Sequence, residues 1–323
     1  MCGRIVRRIV ALSNDAHACL TTGTGAKRCA QIAFTATILQ PKDARGVMLT
    51  EHELKQRLQP VAENDYTIAD NETAFALALD MMPHVGSADA ELRDELIYVT
   101  LAWWLERGVL TDAQQRELLT ILRDDAHLFY RLGEQETDTV LTRSFSVLLI
   151  AGLIYRQRHA PYLTTNTLLA VKNDVLHYLA AEEDLRGYDV TKGWMHAVAH
   201  SADALSQLAR CTELGATTLR EILDAIRQAV GRSQVVYAYE EDERLATAAE
   251  HVIDRKLLTA AYIEAWLTGF TQLHDENAPL AARLHTYVNA KHFLRSLYFR
   301  LYDDDKAVAL LPTIRDTLAS LQR

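Results

Sequence analysis

A chain of 323 residues with 49% apolar and 24% charged side chains can bury a full core, and its net charge of −9 provides no basic field to gather nucleic acid or an anionic membrane. Thirteen glycines and six prolines are few for an all-β chain of this length, so long helices with short connections are expected. Four cysteines without metal-ligand spacing, at Cys2, Cys19, Cys29 and Cys211, suit a reducing, cytoplasmic compartment with no disulfide framework.

The first 47 residues differ from the rest. They hold seven Lys and Arg against two acids, which leaves 27 bases and 41 acids for residues 48–323. The basic start "MCGRIVRRIVALSNDAHACL" has its apolar stretch interrupted by Asn14, Asp15 and His17, unlike the clean apolar core of a secretory signal. Residues 1–47 are therefore expected to be an upstream extension, disordered or from a mis-assigned start, with Met48 as the natural beginning. From there the pattern becomes regular. Thr50 with Glu53 forms a capping box at the start of a helix.

Apolar residues at helical spacing predict elements over 51–59, 71–82, 89–107, 111–123, 136–158, 164–183, 194–211, 216–230, 242–254, 259–273, 279–302 and 305–321. The punctuation agrees. Gly108 closes one helix, Thr111 with Gln114 opens the next, Pro161 follows another, and Gly215 and Gly231 flank a further one. No window alternates with a period of two. The longest apolar run, "VLLIAGLIY" (Val147–Tyr155), is about half the ~20 residues of a membrane span and reads as a buried core helix. The expected fold is all-α, in a single domain over 48–323. Similar frames at Glu106–Leu119 and Asp254–Leu267 suggest stacked helical hairpins, as in an α-superhelix or α/α toroid.

The stretch "GYDVTKGWMHAVAHSAD" (Gly187–Asp203) carries the most chemistry. On a helical wheel over 194–211, Trp194, Val198, Ala202, Leu205 and Ala209 form the core stripe, and His196, His200, Asp203 and Gln207 fall opposite. A solvated face would carry Lys, Glu or Arg, yet Asp203 is the one charged side chain between Lys192 and Arg210. The flanking residues are small and allow other helices to approach, so the polar face is expected to be enclosed and to need partners.

His196 and His200 are four residues apart, a workable pair for a divalent transition metal such as zinc, with further ligands from elsewhere. Asp203 is then expected to orient His200. A metal-free polar network, a small-ligand pocket and a plain exposed face are the other readings. Asp184, Arg186 and Tyr188 in the preceding loop, with Trp194 and Gln207, would line such a pocket. The bland reading of the loop charges is a salt-bridged helix end. Lys291 lies on the apolar side of its predicted helix, where it snorkels or pairs with a buried acid, Asp242 being the first choice.

The block "EEDLRGYDVTKGWMHAVAHSADAL" resembles a bacterial family known only as domain of unknown function 2785, as do "DERLA" (Asp242–Ala246) and "FLRSLYFRL" (Phe293–Leu301). The resemblance runs from about Met48 to the C-terminus and implies a cytoplasmic, all-helical protein without an assigned activity. Two functions fit these observations. The first is a helical-repeat protein binding a small molecule or peptide in a polar pocket, with no nucleic-acid or membrane partner. The second is a hydrolase in which His196 and His200 hold a metal or act as acid and base, oriented by Asp203. No P-loop, GxGxxG, GxSxG or HExxH motif is present.

Overall fold

Helices form where apolar residues recur three and four positions apart, and their ends fall where the capping residues stand. The computed structural model describes residues 48–273, 276–302 and 307–321. The chain divides between Met48 and Leu49, and the elements below belong to the unit from Leu49 onward. The expected extension over 1–47 lies outside the described residues.

The unit is all-α apart from one minimal strand pair. Thr50 and Thr111 each complete a capping box, opening α1 (Glu51–Glu63) and α4 (Asp112–Leu122). Between them lie α2 (Asn71–Met81) and α3 (Val99–Arg107), the latter ended by Gly108 in a left-handed conformation at φ 65°. Then come α5 (Thr139–His159), α6 (Thr165–Ala181), the strands β1 (Tyr188–Asp189) and β2 (Gly193–Trp194), and α7 (Ala197–Ala209). The chain continues through α8 (Ala216–Val230), α9 (Glu241–Asp254), α10 (Ala260–Thr268), α11 (Leu280–Tyr302) and α12 (Leu311–Leu321).

Helices two apart in sequence lie side by side. α5 packs on α7, α7 on α9 and α9 on α11, while α6 and α8 pair with each other and cover α7 from a second layer. The arrangement places α7 in contact with α5, α6, α8 and α9. α7 sits at its centre because Ala197, Ala199, Ser201, Ala202, Ala204, Ser206 and Ala209 are all buried and small enough to let α5 and α9 approach closely. α5 is long and apolar enough to cross a membrane by length and composition, but 72% of its apolar window is buried against other helices. It is a core helix, as expected from the Val147–Tyr155 run.

Two local features depart from the expected pattern. The predicted helix 89–107 begins as a π-helix over Glu91–Tyr98 before tightening into α3. The wider turn lets Leu92, Arg93, Asp94, Leu96, Ile97 and Tyr98 all face inward. The predicted helix 194–211 begins only at Ala197, because residues 188–194 form a hairpin. The Asp189 carboxylate holds its turn, accepting from the Thr191 and Lys192 backbone N–H groups at 2.8 and 2.9 Å. Trp194 therefore lies on β2 and not on the core stripe of α7.

Candidate functional site

The hairpin is clamped from both sides. Gly193, at φ 80°, passes over the π-helix, where an added Cβ would stand 3.3 Å from Arg93 Nη2 and 3.4 Å from Asp94 Oδ2. Gly187 passes under the approach to α9, and a Cβ there would meet the Tyr239 ring at 2.4 Å and Glu241 Oε1 at 2.5 Å. The Gly187 carbonyl accepts from the N–H groups of both Met195 and His196, which ties the loop to the start of α7.

His196 is the residue before α7 and holds a left-handed backbone at φ 42°, uncommon for a side chain with a Cβ. His196 and His200 are each only 4% exposed. The rings meet edge-on, with centroids 5.4 Å apart. Trp194 stacks on His196 at 4.4 Å, and Tyr188 meets Trp194 at 4.8 Å. Beneath them, Phe145 contacts His200 edge-on, and the Arg93 guanidinium lies over Phe145 at 4.8 Å. Tyr188 and Tyr239, the outer members of the group, are more than two-fifths exposed. A file of rings thus runs from the surface into the core. The expectation of an enclosed histidine face is met for both histidines.

Burial, together with the nearby Arg244 charge, pushes His196 down to about 3. Burial, His196 and Arg244 drive His200 well below the usual histidine range. Both rings are neutral at physiological pH. His200 Nδ1 donates to the Ser144 carbonyl at 3.0 Å. The His196 ring donates to the Tyr239 backbone carbonyl, and its Nε2 is buried without a hydrogen-bond partner. A neutral imidazole with its proton so engaged presents Nε2 as a lone-pair acceptor.

Asp203 does not orient His200. Its carboxylate pairs with Arg244 of α9 at 2.5 Å, because the polar face of α7 turns toward α9 where the arginine is presented. Burial raises the Asp203 carboxyl and Arg244 pulls it back. Among the described residues, no three His, Cys, Asp or Glu side chains converge in a way that could hold a metal ion, so His196 and His200 lack the further donors that a zinc site needs. A base with a pKa near 3 is also poorly matched to proton transfer at neutral pH.

The other expected pocket residues are spread over several places. Asp184 is buried and grips Arg186 through two bonds of 2.8 and 2.6 Å, the salt-bridged arrangement expected of a helix end. Gln207 accepts from Arg158 Nη1 near the far end of α7, about 17 Å from His196 by helical rise. Asp242 accepts from Ser296 at 3.2 Å, while Lys291 lies over the Tyr287 ring at 5.0 Å. The expected Lys291–Asp242 pair does not form, since one turn of helix brings an aromatic face closer to the lysine.

Two buried ion pairs escaped the sequence reading. Arg93 and Asp94 pair at 2.8 Å in the π-helix, and burial raises Asp94 to about 6 against the pull of Arg93. Arg143 in α5 is fully buried, holds Glu182 through bonds of 2.6 and 2.8 Å, and donates to the Tyr130 and Arg131 carbonyls. An arginine one turn before the apolar run of α5 was the visible signal for the second.

Residues 128–299, more than half of the chain, match a family described as "Protein of unknown function (DUF2785)". The match is narrower than the expected Met48-to-C-terminus span and contains the hairpin, both histidines and Asp203. No curated protein and no solved structure matches the chain.

Proposed function

The chain belongs to the DUF2785 family, and from that premise we propose that it is a soluble, cytoplasmic bacterial binding protein built from stacked helical hairpins. Its ligand is a small molecule or a peptide side chain, held at the outer end of the aromatic file, and it has no nucleic-acid or membrane partner. One observation carries the reading. His196 Nε2 is a buried acceptor without a donor, beneath aromatic rings that reach the surface. An unpaired buried acceptor costs about 1–3 kcal/mol, and a ligand supplying an N–H or O–H group would recover that cost. The exposed faces of Tyr188 and Tyr239 beside Trp194 suit a flat or apolar body on the same ligand. The left-handed backbone at His196 fits a residue whose placement is set by binding rather than by helix geometry.

The test is a thermal-shift screen of the wild-type chain against a library of small polar aromatic metabolites, repeated with Tyr188→Ala and His196→Asn. Tyr188 is exposed enough for its truncation to leave the fold intact, and asparagine tolerates the left-handed backbone. Hits lost in Tyr188→Ala and weakened in His196→Asn support the reading. An empty screen, or hits indifferent to both changes, removes it.

A further inference from the structure

The opposite end of α7 gathers cationic side chains. Arg158 projects from the last turn of α5, and its Nη1 donates to the neutral amide oxygen of Gln207 at 2.5 Å. Arg210, three residues after Gln207 on the same face, caps α7, and its Nη1 is buried with no hydrogen-bond partner. Both arginines are half-buried.

Most of the described neighbouring charges have other partners. Arg255 is committed to the carbonyls of Ala209, Cys211 and Leu214. Glu213 is engaged by Gln157, and Arg300 by Glu243 and Glu250. Asp254 offsets part of the Arg210 charge. His251, bonded to Ser206 at 2.8 Å, is held neutral, its proton affinity lowered to about 3 by burial and by Arg210, Arg158 and Arg300. Burial and then Arg210 bring Arg158 down to about 10. Among the described residues, Arg158 is bonded to a neutral amide, and Arg210, one turn of α7 beyond that amide, keeps an idle donor.

We propose that Arg158 and Arg210 form a binding site for a phosphate group, at the end of α7 opposite the aromatic file. Two forks from different elements offer more donors than one carboxylate can take, which suits the three outward oxygens of a phosphate. Gln207 positions Arg158 for this role, and Tyr155, one turn before Arg158 and also half-buried, supplies a hydroxyl at the rim.

The test is titration calorimetry of the full chain with inorganic phosphate and, separately, acetate, at fixed pH and ionic strength. The wild type is expected to bind phosphate saturably. Arg158→Gln and Arg210→Gln should each weaken it about tenfold or more, the value of one charge-assisted hydrogen bond, and Arg210→Lys should retain part of it. Circular dichroism establishes that each variant is folded. Thermal shift in phosphate against chloride gives the same readout on any variant too weak for calorimetry. Heat that does not saturate, acetate binding equal to phosphate binding, or glutamine variants that bind like the wild type would overturn the assignment.

Discussion

The Asp203 carboxylate meets the Arg244 guanidinium at 2.5 Å across the interface of α7 and α9, with side chains only 18% and 11% exposed. Removing one partner strands the other charge in a mostly buried setting. Asp203→Ala is expected to lower unfolding free energy by about 3–5 kcal/mol, and the paired change Asp203→Leu with Arg244→Met should recover most of it. Urea denaturation of the three variants measures this. A loss below about 1 kcal/mol in the single variant would mean that solvent screens the pair.

Stability should fall with acid before most carboxylates titrate. In the folded chain His196 and His251 are held at about 3 and His200 lies well below its usual range, whereas unfolded imidazoles titrate near 6.5. Below pH 6.5 the unfolded chain therefore holds protons that the folded chain lacks. The stabilisation is complete above 6.5 and declines toward pH 3, at up to ~1.4 kcal/mol per pH unit for each histidine. Asp94, raised to about 6, works in the opposite sense, as do Asp203 and Glu241, because their folded forms take up protons first. The melting temperature should drop from pH 7 to 5.5, and His251→Gln should flatten the drop. A flat wild-type profile in that window contradicts buried neutral histidines.

Arg143 fastens a loop as well as an acid. It bonds Glu182 and holds the carbonyls of Tyr130, Arg131 and Glu134. Arg143→Met leaves Glu182 and these carbonyls without their donor. The variant should unfold more easily by several kcal/mol, about 3–5 by analogy with other broken buried pairs. Trypsin should also cut after Arg131 in conditions where the wild type is protected. Equal protection of the two chains would sink this account.

Gly187→Ala should damage the hairpin selectively. The new Cβ would collide with the Tyr239 ring and Glu241, and overpacking of this kind costs about 1–3 kcal/mol. Trp194 emission is the readout, since the ring sits between Tyr188 and His196. An unshifted spectrum, with Trp103, Trp104 and Trp266 replaced by phenylalanine to isolate the signal, would show that Tyr239 yields.

Cys211 should resist alkylation while the chain is folded. Burial pushes its thiol up to about 12, so little nucleophilic thiolate exists at neutral pH. Peptide mapping after brief iodoacetamide treatment should find it unmodified until denaturant is added. Rapid native labelling would contradict this.

The helices were readable because their signals are local. Thr50 with Glu53, Thr111 with Gln114, and Gly108 act within one turn of chain and form the caps their spacing predicts. Enclosure of His196 and His200 was also readable, from the absence of long charged neighbours on α7. Their partners were not. Ser144, Tyr239 and Arg244 come from elements about 40 to 60 positions away, and nothing in a helical wheel selects among such contacts. The hairpin escaped because each strand is two residues long, too short for alternation to register. The π-helix over Glu91–Tyr98 escaped because its mixture of charged and apolar residues, ELRDELIY, suits either helical period.

One carbonyl closes the loop between Gly187 and His196, accepting from both Met195 and His196. The base of the hairpin and the first turn of α7 therefore share a single latch. Neither end can swing away while the other stays in register. Exchange of the Met195 and His196 amide protons should then follow one common opening rate, and whatever molecule slips beneath Trp194 would slow both together.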